Sequence, residues 1–306
     1  MNKIIINLPN RHERLINTLN QLRAVNLSDF IILFEAKTPE YAISNFHHIL
    51  HEDAYSNIRN TKSTTIIPNF NSVACALSHI NCWKYIIDNN LYDCIIIEDD
   101  IEFEDPQLFK IAYSKFISKI KKFTNDQKQF ITFNSKIFPC NFDRTPYHNY
   151  ECYKNPLQDK DGFYNIINPF TGLHFYYLNK PMAEFLYSNI RRIKYQLDLE
   201  IGILAAKKYH HGLRNRFIFM NFNTNLIKQS KKFKSDIQYS PISIEQLKKI
   251  FKHSEELIEL TYEYLPDCYK MKRSNENQTI YQSEEANDVF DQLNSYYNYS
   301  ADLIYN

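Results

Sequence analysis

Apolar runs of strand length alternate with amphipathic stretches along most of the chain. Lys3–Leu8 and Phe30–Ala36 are two such runs. Arg11–Val25 lies between them and repeats its leucines on one helical face, which is typical of an amphipathic helix. Because a strand, a helix and a second strand follow one another closely, the pattern predicts a parallel sheet with right-handed crossovers.

The same two patterns continue to about residue 222 and predict an α/β domain with a mixed, mostly parallel sheet flanked by helices. The remaining predicted helices are Thr38–His51, Ser72–Asn90, Pro106–Phe123 and Pro181–Ile193. The remaining predicted strands are Cys94–Ile97, Phe130–Phe133, Leu173–Leu178 and Phe217–Phe222. Asp53–Asn71 and Ser135–Pro169 lack either period and are predicted to be loops, and long loops in compact domains are usually functional or mobile.

The last part of the chain differs in character from the rest. Ser243 and Gln246 have the spacing of a capping box, and helix-period apolar residues follow them for about 20 residues. A polar, Lys- and Asn-containing stretch and a Tyr-rich end complete the sequence. We therefore predict one large α/β domain over 1–240 and a helical C-terminal extension over 241–306.

Charge and cysteine content exclude several classes of protein. The chain has 36 basic and 35 acidic residues, so bulk electrostatics gives no reason to expect a nucleic-acid partner. No apolar run is long enough for a signal peptide or a membrane helix. The six cysteines lack Cys-x-x-Cys spacing and are expected to be reduced thiols. A cytoplasmic location fits these features, and peripheral attachment to a membrane stays open.

Glycine is scarce, and its scarcity limits how the protein can bind phosphate. The four glycines are isolated from one another, so the chain has no glycine-rich phosphate loop. Any nucleotide phosphate must therefore be held by side chains and a metal ion.

Three consecutive acids follow the most apolar predicted strand. Glu98, Asp99 and Asp100 come directly after Cys94–Ile97. In an extended chain Glu98 and Asp100 would point to one side and Asp99 to the other. Ligands bind at the carboxyl ends of strands in open α/β sheets, and converging carboxylates there favour a divalent cation. A solvated acidic loop is the alternative that this stretch alone leaves open.

Several separate stretches, in the same order along the chain, resemble glycosyltransferase family 25, which includes lipooligosaccharide and collagen galactosyltransferases. The resemblance covers roughly residues 2–240. Its motifs are Ile6-Asn7-Leu8 with Arg11 and Arg14, Cys75-Ala76-Leu77-Ser78-His79 with Trp83, Ile97-Glu98-Asp99-Asp100-Ile101, Gly172-Leu173-His174-Phe175-Tyr176-Tyr177-Leu178, Asp198, and Ser235-Asp236-Ile237.

The resemblance implies a GT-A-type, Rossmann-like fold and an inverting hexosyltransferase that uses a UDP-sugar. It favours galactose, with glucose or N-acetylglucosamine as close alternatives, and it implies a role in glycan biosynthesis such as that of lipopolysaccharide. The implied acceptors are an oligosaccharide, a lipid-linked glycan or a protein hydroxyl group. The implied cofactor is Mn²⁺ or Mg²⁺ on the donor diphosphate. Whether the protein forms a homodimer stays open.

The resemblance also assigns roles to individual residues. The candidate metal ligands are Asp100 and Glu98, and a third ligand among His174, His210 and His211 stays undecided. The candidate contacts to the nucleotide-sugar are Asn7, Arg11, Arg14, Ser78, His79, Glu98, Asp99 and Asn134. The candidate catalytic bases are Asp198 and Glu200, which would point alike on an extended segment but not on a helix.

Two other classes of function compete with this interpretation. A non-catalytic protein that binds nucleotide-sugars or glycans on a transferase scaffold would keep the donor contacts without turnover. A phosphohydrolase could use the same acids for a metal ion, but the chain has no Asp-x-Asp-x-Thr motif or comparable nucleophile motif.

Overall fold

The computed structural model of the protein describes residues 1–51, 70–137 and 158–233. Within these ranges the strands are β1 Asn2–Asn7, β2 Ile31–Glu35, β3 Asp93–Glu98, β4 Ile101–Phe103, β5 Lys128–Phe133, β6 Lys136–Ile137, β7 Phe163–Asn165, β8 Phe170–Thr171, β9 Phe175–Asn179, β10 Phe217–Phe222 and β11 Ile227–Gln229. The helices are α1 His12–Ala24, α2 Pro39–Ser44, α3 Phe46–Ile49, α4 Phe70–Asp88, α5 Pro106–Ile120, α6 Lys180–Asn189 and α7 Leu197–His210.

Seven of these strands form the central sheet, in the order β2-β1-β3-β9-β5-β10-β7. β1 is parallel to β2 and β3, and β5 is parallel to β10. β9 is antiparallel to β3 and β5, and β7 is antiparallel to β10. Only β9 and β7 therefore oppose the common direction, which confirms the predicted mixed, mostly parallel α/β sheet. Two further ladders pair β4 with β11 and β6 with β8.

The sheet register brings one edge of polar residues together. Ile6 of β1 lies opposite Glu98 of β3, so both strands end at the same level. Because β9 runs the other way, its first residue, Phe175, lies opposite Ile97 at that same edge. The carboxyl ends of β1 and β3 and the amino end of β9 thus meet, as expected for a binding edge in an α/β sheet.

One face of the sheet is covered by α1 and α5 over an aromatic core. Phe133 of β5 is fully buried and packs against four rings at centroid distances of 4.9–6.4 Å. Those rings are Phe109, Phe116, Phe175 and Phe222. Each aromatic side chain buries a large apolar area, so this cluster contributes much of the hydrophobic stabilisation of the face.

The opposite face is covered by α4 and α6. Trp83 of α4 is fully buried and donates its indole N–H to the hydroxyl of Tyr176 in β9 at 3.0 Å. Phe185 of α6 packs edge-to-face on Phe217 of β10, with ring centroids 4.7 Å apart. Both faces are therefore covered, which explains why the central strands read as unbroken apolar runs in the sequence.

Local signals at two helix starts are confirmed. Asp105 caps α5 by accepting hydrogen bonds from the backbone N–H groups of Gln107 and Leu108 at 2.9 and 3.0 Å. Asn179 caps α6 by accepting from the N–H of Met182 at 3.2 Å. A proline occupies the first turn of each helix, where its missing N–H costs nothing.

The segment around Asp198, for which the sequence left an extended and a helical conformation open, forms the first turn of α7. Leu197, Leu199 and Ile201 alternate with polar residues, which is typical of a strand, but the structure makes this segment helical. Gly202 allows the helix to pack closely, because a Cβ there would lie 2.7 Å from the Cα of Pro169. Tertiary packing on the segment before β8 therefore outweighs the local alternation.

Other boundaries change more modestly. The predicted helix Thr38–His51 is two short helices, α2 and α3, and the predicted loop Ser135–Pro169 contains β6 and β7. Strands of two or three residues are too short to show a period of two. The residues 52–69 and 138–157 and the predicted extension 241–306 lie outside the described residues.

The chain divides into two compact units. The described part of the first contains the sheet and comprises 1–36, 76–137, 158–191 and 197–233. The described part of the second comprises 37–51, 70–75 and 192–196, in which Leu50 and Ile193 form a parallel bridge. None of the helices in the described ranges is long and apolar enough to cross a membrane.

The aromatic core predicts a large effect of a single truncation. Phe133→Ala should lower the free energy of unfolding by about 3–5 kcal/mol, because it removes a ring held between four others. Urea denaturation measures this change. Ile111→Ala is the control, because Ile111 of α5 is 59 % exposed and its truncation should change stability by less than about 0.5 kcal/mol. Similar losses in both variants would contradict the assignment of this core.

Candidate active site

The three consecutive acids divide between the two faces of the sheet edge. Glu98 is the last residue of β3, and Asp99 and Asp100 form the turn before β4. The polar contacts of Glu98 lie on the α4 side, whereas Asp99 contacts residues of β1 and α1. Asp100 was expected on the side of Glu98, but it shares Arg14 with Asp99 because the chain turns after β3 instead of staying extended.

On the α1 side, Asp99 is held by one amide and one guanidinium group. Asn7 Nδ2 donates to Asp99 Oδ2 at 2.7 Å, and Arg14 Nη1 lies 3.5 Å from Asp99 Oδ1. The same Arg14 nitrogen is 3.7 Å from Asp100 Oδ2. Arg14 is buried, and Arg11 lies one residue before α1 and is partly buried. The structure thus brings together Asn7, Arg14 and two of the three acids.

Asp100 is buried and incompletely satisfied. Its Oδ2 accepts a hydrogen bond from Gln229 Nε2 at 3.0 Å, and its backbone oxygen accepts from the N–H of Ser230 at 2.6 Å. Its Oδ1 is buried and has no hydrogen-bond partner within the described part of the chain. Burial, together with the charges of Glu98 and Asp99, raises the pKa of Asp100 to about 7. A cation at Oδ1 would remove this cost of ionisation.

On the α4 side, a buried chain of hydrogen bonds ends on Glu98. The hydroxyl of Tyr176, which accepts from Trp83, lies 3.0 Å from His79 Nδ1, and His79 Nε2 lies 3.2 Å from Glu98 Oε1. An unprotonated Nε2 would place its lone pair against a carboxylate, so Nε2 carries the proton and donates to Glu98. His79 is 1 % exposed, which fixes this geometry.

Glu98 is the acid that stays ionised most readily. Burial would raise its pKa, but the hydrogen bond from His79 and the nearby cationic groups outweigh it, and the net effect lowers the pKa of Glu98. The Glu98 side chain is 21 % exposed, so it can still meet a ligand. The site therefore has a readily ionised carboxylate, Glu98, on one face and a carboxylate with a raised pKa, Asp100, on the other.

His174 and Asp198 complete the α4 side of the edge. The N–H of Glu98 donates to the backbone oxygen of His174 at 2.9 Å, which extends the β3–β9 ladder by one pair. Asp198 Oδ2 accepts from the N–H of Gly172 at 3.1 Å, and its Oδ1 accepts from the N–H of Leu199 at 2.9 Å. Desolvation and the charge of Glu98 raise the pKa of Asp198 to about 6 against these backbone donors.

The helical conformation separates the two candidate bases. Asp198 and Glu200 both lie in the first turn of α7. Two helical residues differ by about 200° around the axis, so the two carboxylates point in different directions. Asp198 accepts a hydrogen bond from the backbone N–H of Gly172, beside the start of β9. Geometry therefore favours Asp198 of the two, and its role as a base stays a prediction.

Two of the predicted donor contacts, Asn134 and Ser78, lie in well-defined positions within the fold. Asn134 follows β5 with a φ of 57°, and its Nδ2 donates to the backbone oxygen of Ile227 at 2.7 Å. Its Oδ1 accepts from the N–H groups of Thr224 and Asn225, each at 2.7 Å. Asn134 thus holds the loop before β11. Ser78 is 2 % exposed, and a donor contact for either residue stays a prediction.

Two residues near the acids were missed by the sequence analysis. Gln229 reaches Asp100 because β11 pairs with β4 next to the acidic turn. A three-residue strand gives no periodic signal, so nothing in the sequence indicates this pairing. Tyr176 lies in the predicted strand, but its hydrogen bonds to Trp83 and His79 depend on how α4 packs, which a single sequence does not specify.

The other two histidine candidates, His210 and His211, come at the C-terminal end of α7. His210 and His211 were considered as possible third metal ligands, and they come at the end of α7, twelve or more residues after Asp198. A helix rises about 1.5 Å per residue, so this interval corresponds to about 18 Å along the axis. The backbone of both residues is therefore distant from Asp198 along the helix axis, whereas the backbone of His174 is hydrogen-bonded to Glu98.

Two solved structures show distant similarity to the chain. A putative glucose-1-phosphate thymidylyltransferase from Bacillus anthracis, in complex with a sucrose, is 11 % identical, with a TM-score of 0.32. That similarity covers 75 % of this chain and 89 % of the other. A cytidylyltransferase from Leptospira borgpetersenii serovar Hardjo-bovis (strain JB197) is 12 % identical, with a TM-score of 0.34, covering 92 % and 98 % of the two chains.

Comparison at the level of sequence families is decisive. No curated protein sequence shows significant similarity to the chain. The profile of glycosyltransferase family 25, described as an LPS biosynthesis protein family, matches residues 1–201. The match spans β1 through the start of α7 and includes Asn7, Arg14, His79, the three acids and Asp198. The chain therefore belongs to glycosyltransferase family 25.

Proposed function

We propose that this glycosyltransferase is a metal-dependent, inverting hexosyltransferase that uses a UDP-sugar donor. The observation that carries the proposal is the buried Asp100 at the sheet edge, whose Oδ1 has no hydrogen-bond partner and whose pKa is raised to about 7 by burial and neighbouring acids. A bound cation would offset the electrostatic cost of ionising a carboxylate at this buried position. Family membership supports sugar transfer, and the finer assignment is our inference from the site.

The residues present fit a divalent metal ion that is shared with the donor. Asp100 supplies one unpartnered oxygen, and Glu98 supplies an ionised carboxylate on the other face. Among the described residues, Glu98, Asp99 and Asp100 do not form a set of three ligand atoms within 4.8 Å of one another. Donor diphosphate oxygens would therefore complete the coordination, as is common for Mg²⁺ and Mn²⁺. The bound metal would supply positive charge to the departing diphosphate.

Arginine and amide groups on the α1 side bind the nucleotide part in this proposal. Arg14 is fixed by Asp99 and Asp100 and lies at the face of the sheet edge where a phosphate would approach Asp100. Arg11 precedes the first turn of α1, where backbone N–H groups also favour an anion. Asn7 and Asp99 hold each other at 2.7 Å and offer polar atoms to the ribose or base.

On the α4 side, Asp198 acts as the general base. Its carboxylate accepts the proton of the acceptor hydroxyl while the acceptor oxygen forms a bond to the anomeric carbon. The bond from that carbon to the diphosphate oxygen breaks on the opposite face, and the electron pair leaves with UDP. One displacement of this kind inverts the anomeric configuration. A pKa of about 6 keeps Asp198 mostly ionised at pH 7 and still basic enough to take the proton.

Glu98 is the fixed carboxylate beside the reacting centre. The hydrogen bond from His79 holds its orientation, and the chain through Tyr176 and Trp83 holds His79. We expect Glu98 to contact the metal through water or directly, on the sugar side of the diphosphate. Preorganised charge of this kind needs no rearrangement when the bond breaks.

Family membership is the only guide to which donor sugar and acceptor to test first. Family 25 is described as an LPS biosynthesis family, so a glycan acceptor is the first to test. Galactose is the first sugar to test, then glucose and N-acetylglucosamine. UDP release from these three UDP-sugars, with and without Mn²⁺, tests the function. Metal-dependent release from at least one donor is expected. Binding without release from any donor would instead support the non-catalytic nucleotide-sugar-binding alternative.

The metal ligand assignment predicts the effect of one substitution. Asp100→Asn should lower Mn²⁺-dependent UDP release by about 100-fold or more, because it removes the charge that binds the cation while keeping the side-chain size. Circular dichroism should show an unchanged fold. The matched control is Asp88→Asn, at an exposed helix end where the carboxylate pairs only with Lys84. Undiminished, metal-dependent turnover in Asp100→Asn would contradict this assignment.

The base assignment predicts both a rate and a pH dependence. Asp198→Asn should lower kcat by about 10²–10⁴-fold, and the wild-type rate should rise with pH through about 6. Turnover measured from pH 5 to 8 checks both. Glu200→Gln is the discriminating variant. A comparable loss there, with turnover retained in Asp198→Asn, would assign the base to Glu200.

The raised pKa of Asp198 also predicts a stability effect. Its folded pKa of about 6 exceeds the ordinary value of 3.8, so ionisation destabilises the folded protein as the pH rises from about 4 to 6. Asp198→Asn should therefore stabilise the protein more at pH 7 than at pH 4, by up to about 3 kcal/mol. Thermal unfolding at both pH values measures the difference. An equal effect at both would contradict the raised pKa.

A further inference from the structure

His174 occupies a position in the site that the proposed mechanism does not use. It directly precedes β9, and its backbone oxygen accepts from the N–H of Glu98 at 2.9 Å. Opposite residues in an antiparallel ladder project their side chains to the same face. His174 and Glu98 therefore share the α4 face, and the charge of Glu98 acts on both His174 and Asp198.

The imidazole of His174 is buried with an unsatisfied nitrogen. Its Nε2 is buried and has no hydrogen-bond partner. His79, on the same face, is the opposite case, since its Nδ1 meets Tyr176 and its Nε2 meets Glu98. Buried polar atoms are nearly always satisfied, so a buried ring nitrogen that has no partner among the described residues is suited to a hydrogen bond with a bound ligand.

The backbone around His174 is arranged to make room for its ring. Gly172 has a φ of 100°, and a Cβ at this position would lie 3.3 Å from His174 Cε1 and 3.4 Å from its Nδ1. The N–H of the same glycine donates to Asp198 Oδ2 at 3.1 Å. Gly172 therefore holds the proposed base while it leaves space for the imidazole. The imidazole of His174 and the carboxylate of Asp198 therefore both lie next to Gly172.

We propose that His174 Nε2 binds a hydroxyl group of the hexose that is transferred. The inference rests on the proposed function and adds a specificity-determining contact to it. A hydroxyl group both donates and accepts, so it can satisfy a neutral imidazole and a carboxylate at the same time. A phosphate would face the charges of Glu98 and Asp198 at this position, which disfavours it.

Metal coordination by His174 is disfavoured by the geometry. Within the part of the chain that the structure describes, no set of three ligand atoms within 4.8 Å of one another includes a His174 nitrogen. The acid with the unpartnered oxygen, Asp100, makes its contacts with Arg14 and Gln229 on the other face. The sugar, which must lie between the diphosphate and the base, is the ligand that reaches the His174 side.

The first test uses the protein without ligand. His174→Leu removes a buried nitrogen that has no partner, so its Tm should equal or exceed that of the wild type. His79→Leu is the matched control, because it removes two satisfied hydrogen bonds and should lower the Tm by several degrees. A comparable loss of Tm in both variants would overturn the proposal, since it would make His174 a structural residue.

The second test measures binding by isothermal titration with Mn²⁺ present, using UDP, UDP-galactose and UDP-glucose. His174→Leu should weaken binding of the preferred UDP-sugar by about 10-fold and leave the Kd of UDP within about 2-fold, because one hydrogen bond to the sugar is lost. His174→Gln retains a polar group and should recover part of the loss. Such selective weakening supports a contact to the sugar.

Three other results would overturn the inference. Equal weakening of UDP and UDP-sugar would place His174 on the nucleotide or the metal. Unchanged affinities for all three ligands would exclude any contact to the donor. Failure of the wild-type protein to bind any of them would overturn the proposed function together with this inference, whereas the first two results leave the proposed function intact.

Discussion

The concentration of negative charge at the end of β3 is the constraint on which the rest of the site depends. Glu98, Asp99 and Asp100 are consecutive, and the last two are buried. Each carboxylate is stabilised by different hydrogen-bond donors. Glu98 accepts from His79, Asp99 accepts from Asn7 and Arg14, and Asp100 accepts from Gln229. These partners come from distant parts of the chain, so the folded sheet edge is needed to hold the three charges together. Asp100 Oδ1 still has no hydrogen-bond partner among the described residues.

In the function that we propose, the two faces of the sheet edge have separate tasks. The α1 face has arginine and amide groups beside Asp99 and Asp100, which suits a nucleotide diphosphate and its cation. The α4 face has a rigid, ionised Glu98, an orphaned His174 nitrogen and the less acidic Asp198. Such groups suit hydroxyls and proton transfer. The scissile bond would lie where these faces meet, at the carboxyl end of β3.

Sequence periodicity predicted the strands that carry the site, because buried strands and capped helices have strong local signals. Glu98 and Asn7 end β3 and β1 as expected, and Pro106 and Pro181 mark helix starts. Long-range packing was not predictable. The helical turn at Asp198 depends on close packing at Gly202, and Gln229 reaches Asp100 only through a three-residue strand. The turn after Glu98, which moves Asp100 to the α1 face, likewise has no periodic signature.

The most direct measurement of the central claim is anomalous diffraction from crystals grown with Mn²⁺ and UDP. We predict one anomalous peak at coordination distance from Asp100 Oδ1 and beside the diphosphate, with Arg14 on the α1 side of the same phosphate group. A diphosphate bound by the arginines alone, with no anomalous peak beside Asp100 in crystals that contain UDP, would contradict the claim that this sheet edge is a metal-dependent donor site.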